Sequence, residues 1–142
     1  MVRRRLPAAV LCGVSLGITG CASPAEPAPT SSAWAAHASQ DYTYELASSC
    51  GERGGIGTFV VTVVDGKITA IEGQSFESSS TLIAVTPTID DLIDRIQDPT
   101  SGAKDVTYDP VTGVPTWVEF DPDPRAVDDE SCYAVRSYTP TP

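Results

Sequence analysis

A run of β-branched residues from Gly57 to Val64 meets Asp65-Gly66 and resumes as Lys67 to Gly73. Asp-Gly tolerates two consecutive positive φ angles, the geometry of the tight turn whose twist matches that of paired strands. The pattern predicts an antiparallel hairpin. A lone hairpin is marginal in water, so the rest of the chain must supply more strands or a covering helix.

Further strands are legible by their period. From Asp41 to Ser49, Tyr42, Tyr44 and Leu46 alternate with Thr43 and Glu45, as in a half-buried strand. Val106 and Tyr108 belong to another strand, Asp109 to Gly113 is a turn, and Pro115 to Phe120 is its return. Cys132 to Tyr138 alternates again and supplies the last strand. Between the hairpins lies a helix signal: Thr88 caps the amide of Asp91, the first turn is acidic, and Ile89, Leu92, Ile93 and Ile96 share one face. Pro99 and Gly102 stop it. A helix this short must pack on something to persist. The Ser- and Thr-rich residues 74–87 read as a loop with a short extended piece near Leu82. The segment from Ala33 to Gln40 reads as a short helix whose Trp34 packs on the sheet. The expected fold is α+β, a single antiparallel sheet of about five to six strands with one helix packed on one face.

The chain begins with a segment that does not belong to the fold. Arg3, Arg4 and Arg5 precede an apolar run from Leu6 to Ile18, which has the length of a signal h-region and is too short for a permanent span. It ends in Ile18-Thr19-Gly20-Cys21. This resembles a bacterial lipobox, and the resemblance implies cleavage before Cys21, a diacylglyceryl thioether on its sulfur and a further acyl chain on the new amine. Two or more chains make anchoring stable where one is marginal. Residues 22–32, Ala-Ser-Pro-Ala-Glu-Pro-Ala-Pro-Thr-Ser-Ser, then read as a tether that lifts the domain off the membrane. The expected organisation is a signal peptide at 1–20, lipidated cysteine and tether at 21–33, and a small domain at 34–142. The expected location is the extracytoplasmic face of the cell membrane.

Charge and cysteine usage narrow the function. Loss of residues 1–20 lowers the basic count from 9 to 6 against 19 acidic residues, a net charge of −13. Such a surface repels nucleic acid, so nucleic-acid binding is excluded. Cys12 leaves with the signal and Cys21 carries lipid, so Cys50 and Cys132 remain as a pair in an exported protein. They are expected to bond, closing a loop that contributes up to ~4–5 kcal/mol in the chain-entropy account. Two thiols and the single histidine, His37, do not make a zinc site.

No catalytic constellation stands out. His37 lies near the tether, no Gly-x-Ser-x-Gly elbow occurs, and Ser48-Ser49 and Ser78-Ser79-Ser80 read as loop residues. Paired carboxylates could serve a glycosidase, but 19 acidic residues form pairs by chance. Gly51 to Gly57 is glycine-rich, yet it leads into a strand and lacks the lysine of a nucleotide loop. Asp121, Asp123, Asp128, Asp129 and Glu130 form an acidic elbow whose hard oxygens are candidate calcium ligands, without the spacing of an EF-hand. Trp34, Tyr42, Tyr44, Tyr108, Trp117, Tyr133 and Tyr138 are core or line a groove between helix and sheet.

Several stretches together resemble a family of bacterial lipoproteins known only as domain-of-unknown-function family 6174. They are Trp34 with Tyr42-Thr43-Tyr44, Val61 to Ile68, Thr88 to Ile93, Val106 to Pro110, Gly113 to Thr116 and Asp123 to Glu130. They cover almost all of residues 34–138, and the alanine, proline and aspartate content suits an actinobacterial source. The resemblance implies no activity and no cofactor. It places a departure in view: two close cysteines often follow the family's first strand, and here only Cys50 does, with Cys132 at the acidic elbow as its expected new partner. The functional expectation is a membrane-anchored, non-catalytic binding or interaction module of the cell envelope, its partner an envelope protein or small ligand. The alternatives are a carboxylate-using envelope hydrolase and a calcium-binding surface domain.

Overall fold

The structure, a computed structural model, describes residues 33–35, 38, 40–51, 55–75 and 77–142. The signal segment, Cys21, the tether and His37 lie outside the described residues. Six strands form one antiparallel sheet: β1 (Tyr42–Ser49), β2 (Gly57–Val64), β3 (Lys67–Gly73), β4 (Ala103–Tyr108), β5 (Pro115–Phe120) and β6 (Ser131–Pro140). Their order across the sheet is β3-β2-β1-β6-β5-β4. The sheet is therefore two meanders of three strands, one from each half of the chain, joined where β1 pairs with β6. Asp65 and Gly66 both take positive φ, 51° and 71°, as the β2–β3 turn requires.

This connectivity sets a geometric problem. β3 lies at one edge of the sheet and β4 at the other. The chain between them must cross five strand spacings, roughly 24 Å at about 4.8 Å each. Residues 79–97 make that crossing as two short helices, α1 (Ser79–Val85) and α2 (Ile89–Gln97), bent at Thr86-Pro87-Thr88. Pro87 lacks the N–H that a continuous helix would use there and pushes Thr86 into an extended conformation, with ψ 125°.

The expectation of an α+β domain with one helix packed on one face is thus corrected. Among the described residues the chain is mostly β: the sheet has six strands, and the helical content is a bent 19-residue stretch plus a short helical piece at Trp34. The loop expected over 74–87 is corrected too. Ser78 accepts the amide of Thr81 and starts α1, in a sequence whose Ser, Thr, Ile and Val residues have low helix propensity. Crossing geometry overrode composition.

One face of the sheet carries the core. Tyr42, Tyr44 and Leu46 of β1, Phe59, Val61 and Val63 of β2, Val118 and Phe120 of β5 and Val135 of β6 pack with Leu82, Ile89, Leu92 and Ile93 of the crossing. The alternate residues of β1, β2 and β6 face away, and Arg136 pairs across the strands with Glu45 at 3.9 Å. Trp34 is buried, set edge-on to Tyr42 and Tyr138, and its indole N–H donates to Asp90 of α2 at 2.7 Å. Gly113 lets the backbone at Trp34 approach closely: a Cβ there would lie 2.2 Å from the Trp34 backbone nitrogen.

The seam between the two meanders is stapled. Cys50 and Cys132 form a disulfide across 82 residues of chain, beside the Ser49–Cys132 pair of β1 and β6. Cys50 and Gly51 both take positive φ, and a Cβ on Gly51 would meet the Glu130 carbonyl oxygen at 2.1 Å. The end of β1 thus presses directly on the acidic elbow.

Candidate functional site

The bend between the helices is held by the first strand. Tyr44 donates its hydroxyl hydrogen to the Pro87 carbonyl, and Tyr42 accepts the Ile89 N–H at 3.3 Å. Burial pushes both phenols well above the usual tyrosine range, so both stay neutral. At Thr88 a reciprocal cap closes α2: the amide of Asp91 donates to the Thr88 hydroxyl oxygen at 3.1 Å, and the Thr88 amide and hydroxyl both donate to Asp91 Oδ2, at 2.9 and 2.7 Å.

Because the crossing is bent, it does not lie flat on the sheet. A cleft of about 570 Å³ opens between the bend and β6. One wall is Ala84 to Pro87; Asp91 and Arg95 of α2 form another, and Tyr133 of β6 forms the floor. Its volume is within the range of small-molecule sites. Arg95 is fixed in it: the guanidinium carbon sits 3.8 Å above the ring centroid of buried Phe120, and Nη2 donates to Ser131 Oγ at 3.1 Å. Among the described residues it joins no ion pair. The neighbouring carboxylate, Asp91, has one oxygen committed to the cap of α2.

Of the aromatic residues that the sequence offers for a groove, Tyr133 lines this cleft, whereas Trp34, Tyr42 and Tyr44 are core. Tyr108 is half-buried, and burial raises its phenol too. Sequence reasoning missed Arg95. Its spacing from Phe120 and Ser131 carries no local signal, because the contact exists only once the crossing is laid over β5 and β6.

The acidic elbow is partly assembled. Asp121, Asp129 and Glu130 bring one carboxylate oxygen each within 4.8 Å of one another. Asp123 and Asp128 are not in that group: Asp123 pairs with Arg125 at 3.4 Å, and Asp128 occupies an exposed positive-φ turn position. Lys104 reaches Glu119 at 2.9 Å and Asp121 at 3.0 Å, and these two partners hold its ammonium above the usual lysine range. Asp129 Oδ2 accepts the Asp123 amide at 3.2 Å. The Oδ1 atoms of Asp121 and Asp129 are shielded from water and lack a donor.

Other carboxylates serve turns. Asp109 accepts the amides of Thr112 and Val111 and the Thr112 hydroxyl at 2.7 to 3.0 Å, which lowers it below the usual carboxylate range. Asp98 is lowered likewise by Thr100. The serines read from sequence as loop residues lie in regular elements instead: Ser48 and Ser49 end β1, and Ser79 and Ser80 open α1 with Ser78 as its cap.

No helix among the described residues is long and apolar enough to cross a membrane. A single-layer antiparallel sheet, stapled at its seam and carrying an open cleft beside the helix bend, defines a small disulfide-bonded β domain. The chain belongs to the family of unknown function DUF6174, whose model matches residues 26–140. Neither the curated proteins nor the solved structures contain a match to it.

Proposed function

We propose that the chain is a lipid-anchored, extracytoplasmic binding module of the cell envelope, held by Cys21 and acting through the cleft without catalysing a reaction. The observation that carries this reading is the cleft itself: about 570 Å³, open at the bend, with one largely apolar wall facing a wall that holds a carboxylate and a fixed cation. A leader ending in Thr19-Gly20-Cys21 and the Pro- and Ser-rich stretch after it support the anchor. The experiment is photo-cross-linking in cells. A photoreactive residue at Val85, on the cleft wall, is compared with one at Val111, an exposed turn residue away from it. A discrete adduct at position 85 only, lost in the Cys21→Ser form, supports an anchored binding module. Equal labelling at both positions removes the cleft from the account.

A calcium-binding elbow is the second reading. The two shielded, donor-free Oδ1 atoms of Asp121 and Asp129 favour it. The commitment of Asp121 to Lys104 and of Asp129 to a backbone amide weighs against it.

A further inference from the structure

We propose that the cleft selects a small monocarboxylate with an apolar body, received through the guanidinium of Arg95; this rests on the cleft being a binding site. The chain is strongly acidic, with 19 Asp and Glu against 9 Lys and Arg. Of the five described Lys and Arg residues, Lys104, Arg125 and Arg136 pair with carboxylates, while exposed Lys67 and half-buried Arg95 join no ion pair among the described residues. Arg95 differs from Lys67 in being held in the cleft, and it makes no ion pair among the described residues although Asp91 and Asp94 stand on its own helix. Its contacts are a neutral hydroxyl, Ser131, and the face of Phe120. Both hold the guanidinium plane without neutralising its charge, and one Nη–H is spent where five N–H donors exist. The unspent donors form a fork suited to a planar oxyanion, already ordered before a ligand arrives.

The walls decide the rest of the ligand. Ala84, Val85 and Pro87 present hydrocarbon beside the fork, and Val85 is 46% exposed at the mouth. Asp91 also lines the cleft and repels a second negative charge, as does the net charge of the domain. A dianion such as phosphate is disfavoured, and so is a neutral molecule that leaves the fork unanswered. What fits is one carboxylate followed by a short apolar chain or ring.

The test uses the full chain carrying Cys21→Ser, labelled with ¹⁵N, and three probes: 4-phenylbutyrate, 4-phenylbutanol and inorganic phosphate. The expected result is saturable shifts at the Arg95 Nε–H and at Val85 and Tyr133 with 4-phenylbutyrate. The expected dissociation constant is on the order of 1 mM, what about twelve non-hydrogen atoms supply at ordinary efficiency. The alcohol and phosphate bind at least tenfold more weakly. Val85→Asp, at an exposed wall position, weakens the carboxylate about tenfold or more and leaves the remaining spectrum in place. Arg95→Gln abolishes the preference for acid over alcohol. If the alcohol binds the cleft as well as the acid, or Arg95→Gln keeps the preference, the inference falls and the binding cleft stands. If no probe shifts the cleft residues, the inference falls, and the cross-link comparison of positions 85 and 111 decides the cleft separately.

Discussion

Removing the disulfide loosens the domain at the one place where its two halves meet. β1 and β6 are the only neighbours in the sheet that come from different meanders, and Cys50–Cys132 lies at the end of that pair. With a sequence separation of 82 between the cysteines, the chain-entropy account gives ~4.5 kcal/mol at 25 °C, an upper figure because measured values run lower. For a domain of this size 1 kcal/mol moves Tm by about 4–6 °C, so Cys50→Ala with Cys132→Ala is expected to lower Tm by about 10–20 °C. The native register is expected to survive, because seven residue pairs join β1 to β6 without the staple. The assay is thermal unfolding by circular dichroism beside hydrogen exchange of the β1 and β6 amides. The double variant should melt earlier with the same folded spectrum, and seam amides should exchange at the new global rate. A Tm within about 3 °C of the parent would refute the reasoning, since the unfolded chain would then not be constrained by that loop.

Other outcomes follow from the same packing. Trp34→Phe deletes the indole N–H that Asp90 accepts and replaces a buried bicyclic ring by a smaller one, so a loss of about 2–3 kcal/mol is expected by urea denaturation. Stability should also fall steeply in alkali. Tyr42 and Tyr44 are raised in the folded state, so their contribution is complete below about pH 10, the unfolded value, and is lost as pH rises above it. Each buried phenol adds about 1.4 kcal/mol per pH unit to that loss, and Tyr42→Phe should flatten the slope by one such step. If the elbow is only a structural seam, 5 mM calcium (roughly the weak extracellular range) leaves Tm unchanged; a rise of several degrees that Asp129→Asn abolishes would promote the calcium reading.

Much of the sheet was legible because strand alternation is local. Tyr42, Tyr44 and Leu46 announce their face by period alone, and Asp65-Gly66 announces its turn by φ. The Cys50–Cys132 bond was legible by elimination, since a single pair remains once Cys12 is assigned to the expected leader and Cys21 to the expected lipid anchor. The crossing was not. α2 advertises itself through Thr88 and its apolar spacing, but α1 is built from poor helix formers and is fixed by having to pass from β3 to β4. The cleft was illegible for the same reason. Arg95, Phe120 and Ser131 are separated in sequence and meet only when the bend at Pro87 sits over β5 and β6. Asp121, Asp129 and Glu130 were offered as a group with Asp123 and Asp128; composition cannot tell which carboxylates turn inward.

Native mass spectrometry of the protein released gently from its own membranes tests the binding claim most directly. The account predicts a population carrying a discrete small adduct, lost in Val85→Asp while its lipid mass on Cys21 is unchanged. Masses for both forms that differ only by the substitution itself, with no adduct in either, would contradict it.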